Sequence, residues 1–326
     1  MNYFITGATG FIGGVLAQQL REVGHEVIAV VRNPAKATTL SALGVQLAKG
    51  DVTDKESMRA PMSGVDGVFH VAGWYKIGTP DKAEGHKINV DGTRNVLELM
   101  RELNVPKGVY TSTLAVNSDT HGKLVDETYR FTGQHISVYD ATKAKAHDLA
   151  EAMIKDGLPL VIVQPGLVYG PGDTSLVRST LHQVLQRKLP MMPQQTAYSW
   201  AHVDDIAHAH VLGLERGVAG QSYFICGPTH TLAEGMTLAA TIAKVNPPMQ
   251  AAPGLLKTMS AMMGLIDRVI TLPASYTSEG LRVIAGVTYI GDNGKAKREL
   301  GYNPRSLEDG WGTTIRQEMK AIGLSS

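Results

Sequence analysis

The chain has 326 residues, enough for one large α/β unit or two lobes around a sizeable core, and its 31 Lys and Arg nearly cancel its 30 Asp and Glu. A formal charge of +1 gives no bulk attraction toward nucleic acid or an anionic membrane, so neither is expected as a partner. The single cysteine, Cys226, forms no intrachain disulfide and points to a reducing compartment, the cytoplasm; within the apolar run Tyr223-Phe224-Ile225-Cys226 it reads as a buried, inert thiol.

The β-rich run Asn2 to Thr6 passes directly into Gly7-Ala8-Thr9-Gly10-Phe11-Ile12-Gly13, after which Phe11, Val15, Leu16 and Leu20 recur at helical spacing. Glycines at such a strand–helix junction permit the tight turn and a close backbone approach to a pyrophosphate, and the free N–H groups of the first helical turn hold the anion. A dinucleotide is therefore expected along Gly7, Thr9, Gly10, Phe11, Ile12 and Gly13. The G-x-x-G-x-x-G spacing alone is weak, since a turn that binds nothing reads the same. With strand from the start, no secretory signal is expected ahead of Gly7.

The second strand, His25 to Val31, ends at Arg32-Asn33-Pro34. An acidic residue about 20 positions past the glycines bonds the ribose 2′-hydroxyl of NAD, whereas an Arg accommodates the 2′-phosphate of NADP. Val31 holds the acidic place here, with Arg32 and Lys36 beside it, so NADP(H) is expected rather than NAD(H). The alternative is a solvated Arg at a strand end. Then come a strand Val45 to Lys49, the segment Gly50-Asp51-Val52, a short helix from Asp54 and a strand Gly67 to Gly73. Asp51 suits the adenine amino group or the turn of a loop. Residues Asp81 to Leu103 read as one long helix, with Ile88, Val96, Leu99 and Met100 on its apolar side, and a strand Gly108 to Ser112 follows. This alternation predicts a Rossmann-like, doubly wound parallel α/β sheet with ligands at the carboxyl ends of its strands.

A helix from Val138 to Lys155 leads to a strand Leu160 to Gln164 and a proline- and glycine-rich break from Pro165 to Asp173, taken as the lobe boundary. Residues 1–166 are expected to form the NADP-binding domain, joined by about 200–226, and 167–326 mainly a smaller α/β substrate lobe. His202-Val203-Asp204-Asp205 caps a helix to Glu215, and a strand Ser222 to Cys226 follows; both are expected to return to the first lobe. Asp204 and Asp205 read as helix-initiating acids. His202, His208 and His210 lack a cysteine or carboxylate at ligand spacing, so they read as structural and no metal is expected. The most hydrophobic later stretch, Leu255 to Leu272, is interrupted by Lys257, Asp267 and Arg268 and is not expected to span a membrane.

The sharpest feature is Tyr139-Asp140-Ala141-Thr142-Lys143. Tyr139 and Lys143 stand one turn apart on a helix face, where an ammonium beside a phenol would lower a pKa of about 10 and make the tyrosine a usable acid or base. Together with Gly7 to Gly13 and the hydroxyls Thr111-Ser112-Thr113 at a strand end, this set resembles the short-chain dehydrogenase/reductase superfamily, in its extended, NAD-dependent epimerase/dehydratase branch. Asp51-Val52, His70 to Gly73, Asn89 to Thr93, Pro165 to Asp173, His202 to Asp205 and Gly301 to Pro304 extend the resemblance over nearly the whole chain.

The resemblance implies that Tyr139 exchanges the substrate proton, that Lys143 holds the ribose hydroxyls and tunes Tyr139, and that a hydroxyl polarises the carbonyl. By the family pattern that hydroxyl is Thr113, with Ser112 beside it as the other candidate. Asn89 braces the site. Asp51, Val52, Val71, Ala72, Gly73, Thr111, Pro165, Gly166 and Val168 line the cofactor, and Trp74, Tyr75, Tyr169 and Tyr198 the substrate. A homodimer paired through the helices before and around Tyr139 is also implied.

Two departures bear on the substrate. Gln164 stands where many relatives carry an Arg, and Tyr198 where nucleotide-sugar enzymes grip a diphosphate with one. Arg178 or Arg187 remains to supply that charge. Trp74-Tyr75-Lys76-Ile77 and Met191, Met192, Met249, Met259, Met262 and Met263 suggest an apolar, aromatic or polycyclic carbonyl or alcohol, as in dihydroflavonol, cinnamoyl-CoA and 3β-hydroxysteroid reductases. The alternatives are an NAD-dependent nucleotide-sugar epimerase or dehydratase, and a non-catalytic NADP(H)-sensing protein. The stretch around Leu255 to Leu272 reads as a lid or as packing elsewhere.

Overall fold

The computed structural model describes residues 1–76, 82–251 and 286–324; Ile77, Asp81, Met259, Met262, Met263 and the Leu255 to Leu272 stretch lie outside the described residues. In chain order the elements are β1 (Asn2–Thr6), α1 (Phe11–Glu22), β2 (Glu26–Val31), α2 (Thr38–Ala42), β3 (Gln46–Lys49), α3 (Lys55–Met62), β4 (Gly67–His70), α4 (Lys82–His86), α5 (Gly92–Glu102), β5 (Gly108–Thr111), α6 (Val138–Lys155) and β6 (Leu160–Pro165). They continue with β7 (Leu167–Tyr169), α7 (Leu176–Leu185), β8 (Met191–Pro193), β9 (Ala197–His202), α8 (Val203–Glu215), β10 (Ser222–Ile225), β11 (Thr229–Thr231), α9 (Leu232–Ile242), β12 (Met249–Ala251), β13 (Thr288–Tyr289), α10 (Gly294–Leu300) and α11 (Leu307–Ala321).

The seven-stranded sheet runs β10-β6-β5-β4-β1-β2-β3, and every pairing in it is parallel. Because strand side chains alternate, Ile5, Ala29 and Val163 face α1 and α8, while Phe4, Val68 and Ile162 face α3, α5 and α6. Both faces are covered, which is why these strands read as unbroken apolar runs. Strand order reverses between β1 and β4, and the crevice at that switch point is where such sheets take ligands. As expected, α8 and β10 rejoin this sheet, α8 packing on α1 and β10 pairing with β6.

Two expectations need correction. β4 stops at His70, so residues 71–73 are loop. The long helix after Asp81 is interrupted by a π-helical turn, Lys87–Asp91. The Pro165 to Asp173 break contains β7, which pairs in parallel with β9 from Leu167↔Trp200 to Tyr169↔His202. Gly166 there marks a close approach, since a Cβ would lie 2.0 Å from the Ser199 carbonyl oxygen. As expected, the His202 to Asp205 segment starts α8: His202 caps it, its Nδ1 accepting from the Asp204 N–H at 3.3 Å, and Asp204 and Asp205 occupy its first turn and hold Arg305.

β9 also pairs with β11 antiparallel and β13 parallel, and this second sheet packs against an apolar cluster built on Tyr169, Trp200 and Trp311. Cys226 is fully buried; its thiol donates to the Gly291 carbonyl at 3.2 Å and burial pushes it up to about 12. No helix among the described residues is long and apolar enough to cross a membrane.

Candidate active site

Each glycine of the first turn has its own reason. Gly7 takes φ +76°, and a Cβ on it would sit 2.6 Å from the Ala72 nitrogen. A Cβ on Gly13 would sit 2.3 Å from the Gly7 carbonyl oxygen, so α1 packs onto its own turn only with glycine there. Gly10 is the N-cap residue and uses no side-chain cap, and the first turn of α1 carries no acid. The N–H groups of that turn are therefore open to an anion, with neither a competing side chain nor a repelling carboxylate. This cradle fits a dinucleotide pyrophosphate. Thr9 and Gly10 are exposed at its lip, and Phe11 and Ile12 are partly buried in the first turn.

At the end of β2, Arg32 and Lys36 are both exposed, and neither makes an ion pair among the described residues. Asn33 between them caps the short turn Pro34–Lys36. Asp51 spends Oδ1 on the N–H and hydroxyl of Thr53, both at 2.8 Å, which is the loop-turn alternative, while Val52 is buried against the α3–α5 side of the sheet. The 71–73 loop is tied to β1 by Val71 N–H to the Thr6 carbonyl at 3.3 Å and Ala72 N–H to Thr6 Oγ1 at 3.2 Å. Pro165, Gly166 and Val168 follow one another from the end of β6 into β7.

Thr113, Tyr139 and Lys143 come together where β5 ends against the start of α6. Ser137 caps α6, its Oγ accepting from the Asp140 N–H at 3.1 Å, which places Tyr139 in the first turn and Lys143 one turn on. The Thr113 hydroxyl is a hydrogen-bond partner of the Tyr139 phenol. Ser112 points elsewhere, its hydroxyl 2.9 Å from His147 Nδ1. Thr111 places its hydroxyl 2.7 Å from His210 Nε2 and lends its carbonyl to Lys143. Asn89, inside the π-helical turn, accepts from the Trp74 N–H at 2.7 Å and donates to the Trp74 carbonyl at 2.9 Å and to Thr142 Oγ1 at 3.0 Å. It thus braces the 71–74 loop against α6, and the extra residue of the turn aims it there.

The expected lowering of the Tyr139 phenol by Lys143 is reversed. Burial pushes Tyr139 up to about 12, opposed by the Thr113 hydrogen bond and reinforced by Asp140. Lys143 is buried, donates to the Thr111 carbonyl at 2.8 Å and the Tyr110 phenol at 3.1 Å, and is held by desolvation at about 7. It therefore supplies no full cation to Tyr139 at neutral pH. In the unfolded chain this amine titrates at about 10.4. Between about pH 7 and about pH 10.4 the unfolded state holds a proton the native state lacks, so this group's contribution to stability rises with pH through that window. Denaturant unfolding at both ends should show the wild type gaining on Lys143→Met as pH rises; parallel pH dependences would refute the shift.

The aromatic candidates divide. Trp74 is buried with Nε1 donating to Glu84 at 3.0 Å, and Tyr75 is 51% exposed with its hydroxyl 2.6 Å from Thr174 Oγ1. Tyr198 stacks on Tyr289, centroids 5.7 Å apart and planes 2° from parallel. Tyr169 is a packing residue in the Trp200–Trp311 cluster, its ring centroid 4.6 Å from that of Trp311. Arg178 is committed to the buried Glu318 at 2.7 Å, and Arg187 is exposed just past α7.

Sequence reasoning missed His70, Thr93 and Tyr110, which lie beneath Lys143, and Asp140 with Tyr289, whose hydroxyl donates to Asp140 Oδ2 at 3.1 Å. The signal for the first group was a histidine inside the apolar run Val68-Phe69-His70-Val71, where a polar residue needs a buried partner.

Residues 3–226 match the NAD dependent epimerase/dehydratase family. The chain is 28% identical over 318 residues to a putative dihydroflavonol 4-reductase of Synechocystis sp., covering 94% of this chain and 91% of that protein. It is 34% identical over 242 residues to cinnamoyl-CoA reductase 1 of Oryza sativa subsp. japonica, covering 68% and 70%. In fold it is similar to a double mutant of DesIV, a dTDP-glucose 4,6-dehydratase from Streptomyces venezuelae with NAD bound, with TM-score 0.81 and 23% identity over 99% of this chain and 98% of that one.

Proposed function

The chain belongs to the NAD dependent epimerase/dehydratase family, with the extended short-chain dehydrogenase/reductase fold, and from that premise we propose that it is an NADP(H)-dependent reductase of an apolar, aromatic or polycyclic carbonyl compound. The observation that carries this reading is the Thr113–Tyr139 hydroxyl pair with Lys143 one turn on, at the carboxyl end of β5 beside a glycine cradle for a dinucleotide. In this reading Gly7 to Gly13, Arg32, Lys36, the 71–73 loop, Lys143 and the Pro165 to Val168 segment hold the cofactor. Residues 1–166 with about 200–226 form the cofactor domain, and 167–326 mainly the substrate lobe.

When bound, the reduced nicotinamide supplies a hydride to the carbonyl carbon. Tyr139, protonated because its phenol titrates at about 12, delivers the proton to the carbonyl oxygen and so completes the alcohol. Thr113 donates a hydrogen bond to that oxygen as charge develops on it. Thr113→Ala should therefore lower kcat/KM about 100-fold, and Thr113→Ser should restore most of it. Ser112→Ala, whose hydroxyl is engaged with His147, should cost less than about fivefold. Equal losses in the two alanine variants, measured by NADPH oxidation with an aromatic ketone, would move the role to Ser112.

An apolar substrate is favoured over a nucleotide sugar because Tyr198 stands in place of the diphosphate-gripping Arg and, of the two arginines that could replace it, Arg178 is committed to Glu318 and Arg187 is exposed just past α7. Calorimetric titration with NADPH and NADH tests the cofactor. A preference for NADPH of at least tenfold, about 1.4 kcal/mol, should vanish in Arg32→Ala. Stoichiometric NAD(H) carried through purification, with turnover needing no added cofactor, would favour the epimerase or dehydratase reading.

A further inference from the structure

A buried hydrogen-bonded chain runs beneath the proposed site across the carboxyl ends of β1, β4 and β5. Thr6 Oγ1 accepts from the Ala72 N–H at 3.2 Å and stands 2.7 Å from His70 Nδ1. His70 Nε2 is 2.9 Å from Thr93 Oγ1, and the Thr93 hydroxyl hydrogen-bonds the Tyr110 phenol. Tyr110 accepts from Lys143 Nζ at 3.1 Å, its ring stacks on His70 with centroids 5.4 Å apart, and Nζ lies 4.8 Å from its centroid. His70 and Tyr110 are 0% exposed, and Thr6 and Thr93 no more than 1%.

The polarity of the chain decides what it does. Assigning the Thr6 proton to His70 Nδ1, the polarity that leaves the Tyr110 oxygen as an acceptor for Lys143, puts the ring proton on Nε2 and directs it at Thr93. The Thr93 proton then goes to Tyr110, so Tyr110 oxygen receives one hydrogen bond from Thr93 and another from Lys143. A proton relay would need His70 to accept a second proton, and burial holds that imidazole at about 3. The chain is therefore a fixed scaffold that presents one acceptor to Lys143.

We propose that Tyr110 is a positioning residue: its phenolic oxygen, oriented through Thr93, His70 and Thr6, fixes the Lys143 amine over the end of β5 and couples its placement to the 71–73 loop. The proposal rests on the reductase reading for its catalytic consequence, but the placement of Lys143 is a property of the cofactor-free chain. The titratable groups facing Lys143 are Tyr110 from β5, His70 from β4 and, one turn back on α6, Tyr139.

Tyr110→Phe keeps the ring on His70 and under Nζ while removing the acceptor. The test is lysine-selective 13C NMR of the full chain without cofactor, with the Lys143 signal assigned by its loss in Lys143→Met. Removing an acceptor of the charged form in a buried site should lower the Lys143 titration midpoint by about one pH unit. Thr93→Val, which leaves Tyr110 unoriented, should shift it in the same direction by less, and decides the matter if Tyr110→Phe does not fold. Turnover with NADPH and an aromatic ketone should fall about tenfold in kcat with KM changed less than about threefold. A Lys143 midpoint unmoved in a folded variant overturns the proposal whatever the activity. A shifted midpoint in a chain that reduces no carbonyl keeps the placement and overturns the reductase reading instead.

Discussion

Tyr139→Phe is expected to lower carbonyl reduction about a thousandfold, about 4 kcal/mol in transition-state stabilisation, while leaving NADPH affinity within about threefold of wild type. The change removes one oxygen and keeps the ring. Its hydrogen-bonding partner, Thr113, still accepts from the Ala115 N–H at 3.2 Å and loses only the phenol oxygen as a partner for its own hydroxyl, a cost of about 1–3 kcal/mol that the fold should bear. Because the phenol titrates at about 12, it is fully protonated at neutral pH, and what the variant loses is an acid. In the proposed mechanism reduction depends on that acid throughout the neutral range, and oxidation of the alcohol would ask the same group to be a base, which its raised pKa opposes until bound cofactor and substrate change its surroundings. Single-turnover reduction followed at the NADPH absorbance, beside a calorimetric measure of NADPH binding, separates chemistry from binding. A variant that keeps most of its activity would remove Tyr139 from the mechanism, and one that loses NADPH binding in proportion would make it a cofactor residue.

What was legible in the sequence was whatever depends on local periodicity. The β1–α1 junction, the span of α6 from Val138 to Lys155, and the facing of Tyr139 and Lys143 follow from spacing alone, and the structure has them at those residues. The same is true of the parallel sheet, whose strands are buried on both faces. The second sheet was illegible because β7, β11 and β13 are only three, three and two residues long, too short to alternate. Tyr169 was assigned to the substrate from its place in a motif, but its environment is set by Trp200 and Trp311, distant in sequence. Asn89 reaches Trp74 because of a π-helical turn that no residue pattern announces.

The inverted electrostatics of Tyr139 and Lys143 have the same origin. An i, i+4 pair predicts proximity, and from proximity an ammonium that lowers a phenol. The tertiary fold adds desolvation of both groups and two alternative acceptors for the amine, and desolvation is the largest cause of both shifts. Spacing fixes which residues meet. Burial decides their protonation.

Gly13→Ala is expected to have the second large effect, and the neighbouring Gly14→Ala supplies its control. On helix propensity alone both changes should stabilise α1, by up to about 1 kcal/mol each. At Gly14 the added Cβ would meet its nearest neighbour, the Ala8 carbonyl oxygen, at 3.4 Å, an ordinary contact, so stability and NADPH binding should stay at or slightly above wild type. At Gly13 the Cβ would fall 2.3 Å from the Gly7 oxygen and 2.7 Å from the Gly7 carbon. Both are backbone atoms of a turn that is itself pressed against Ala72, so no side chain can swing aside and α1 must move away from β1. Overpacking of that kind costs about 1–3 kcal/mol, several degrees in melting temperature for a chain of this size. It also displaces the first-turn N–H groups from the cradle they form, for which a loss of about 100-fold in NADPH affinity, about 2.7 kcal/mol, is expected. Thermal unfolding and NADPH titration of the two variants side by side check this. Equal behaviour of Gly13→Ala and Gly14→Ala would mean that the turn relaxes freely, and that the closeness of α1 to β1 is not what holds the pyrophosphate.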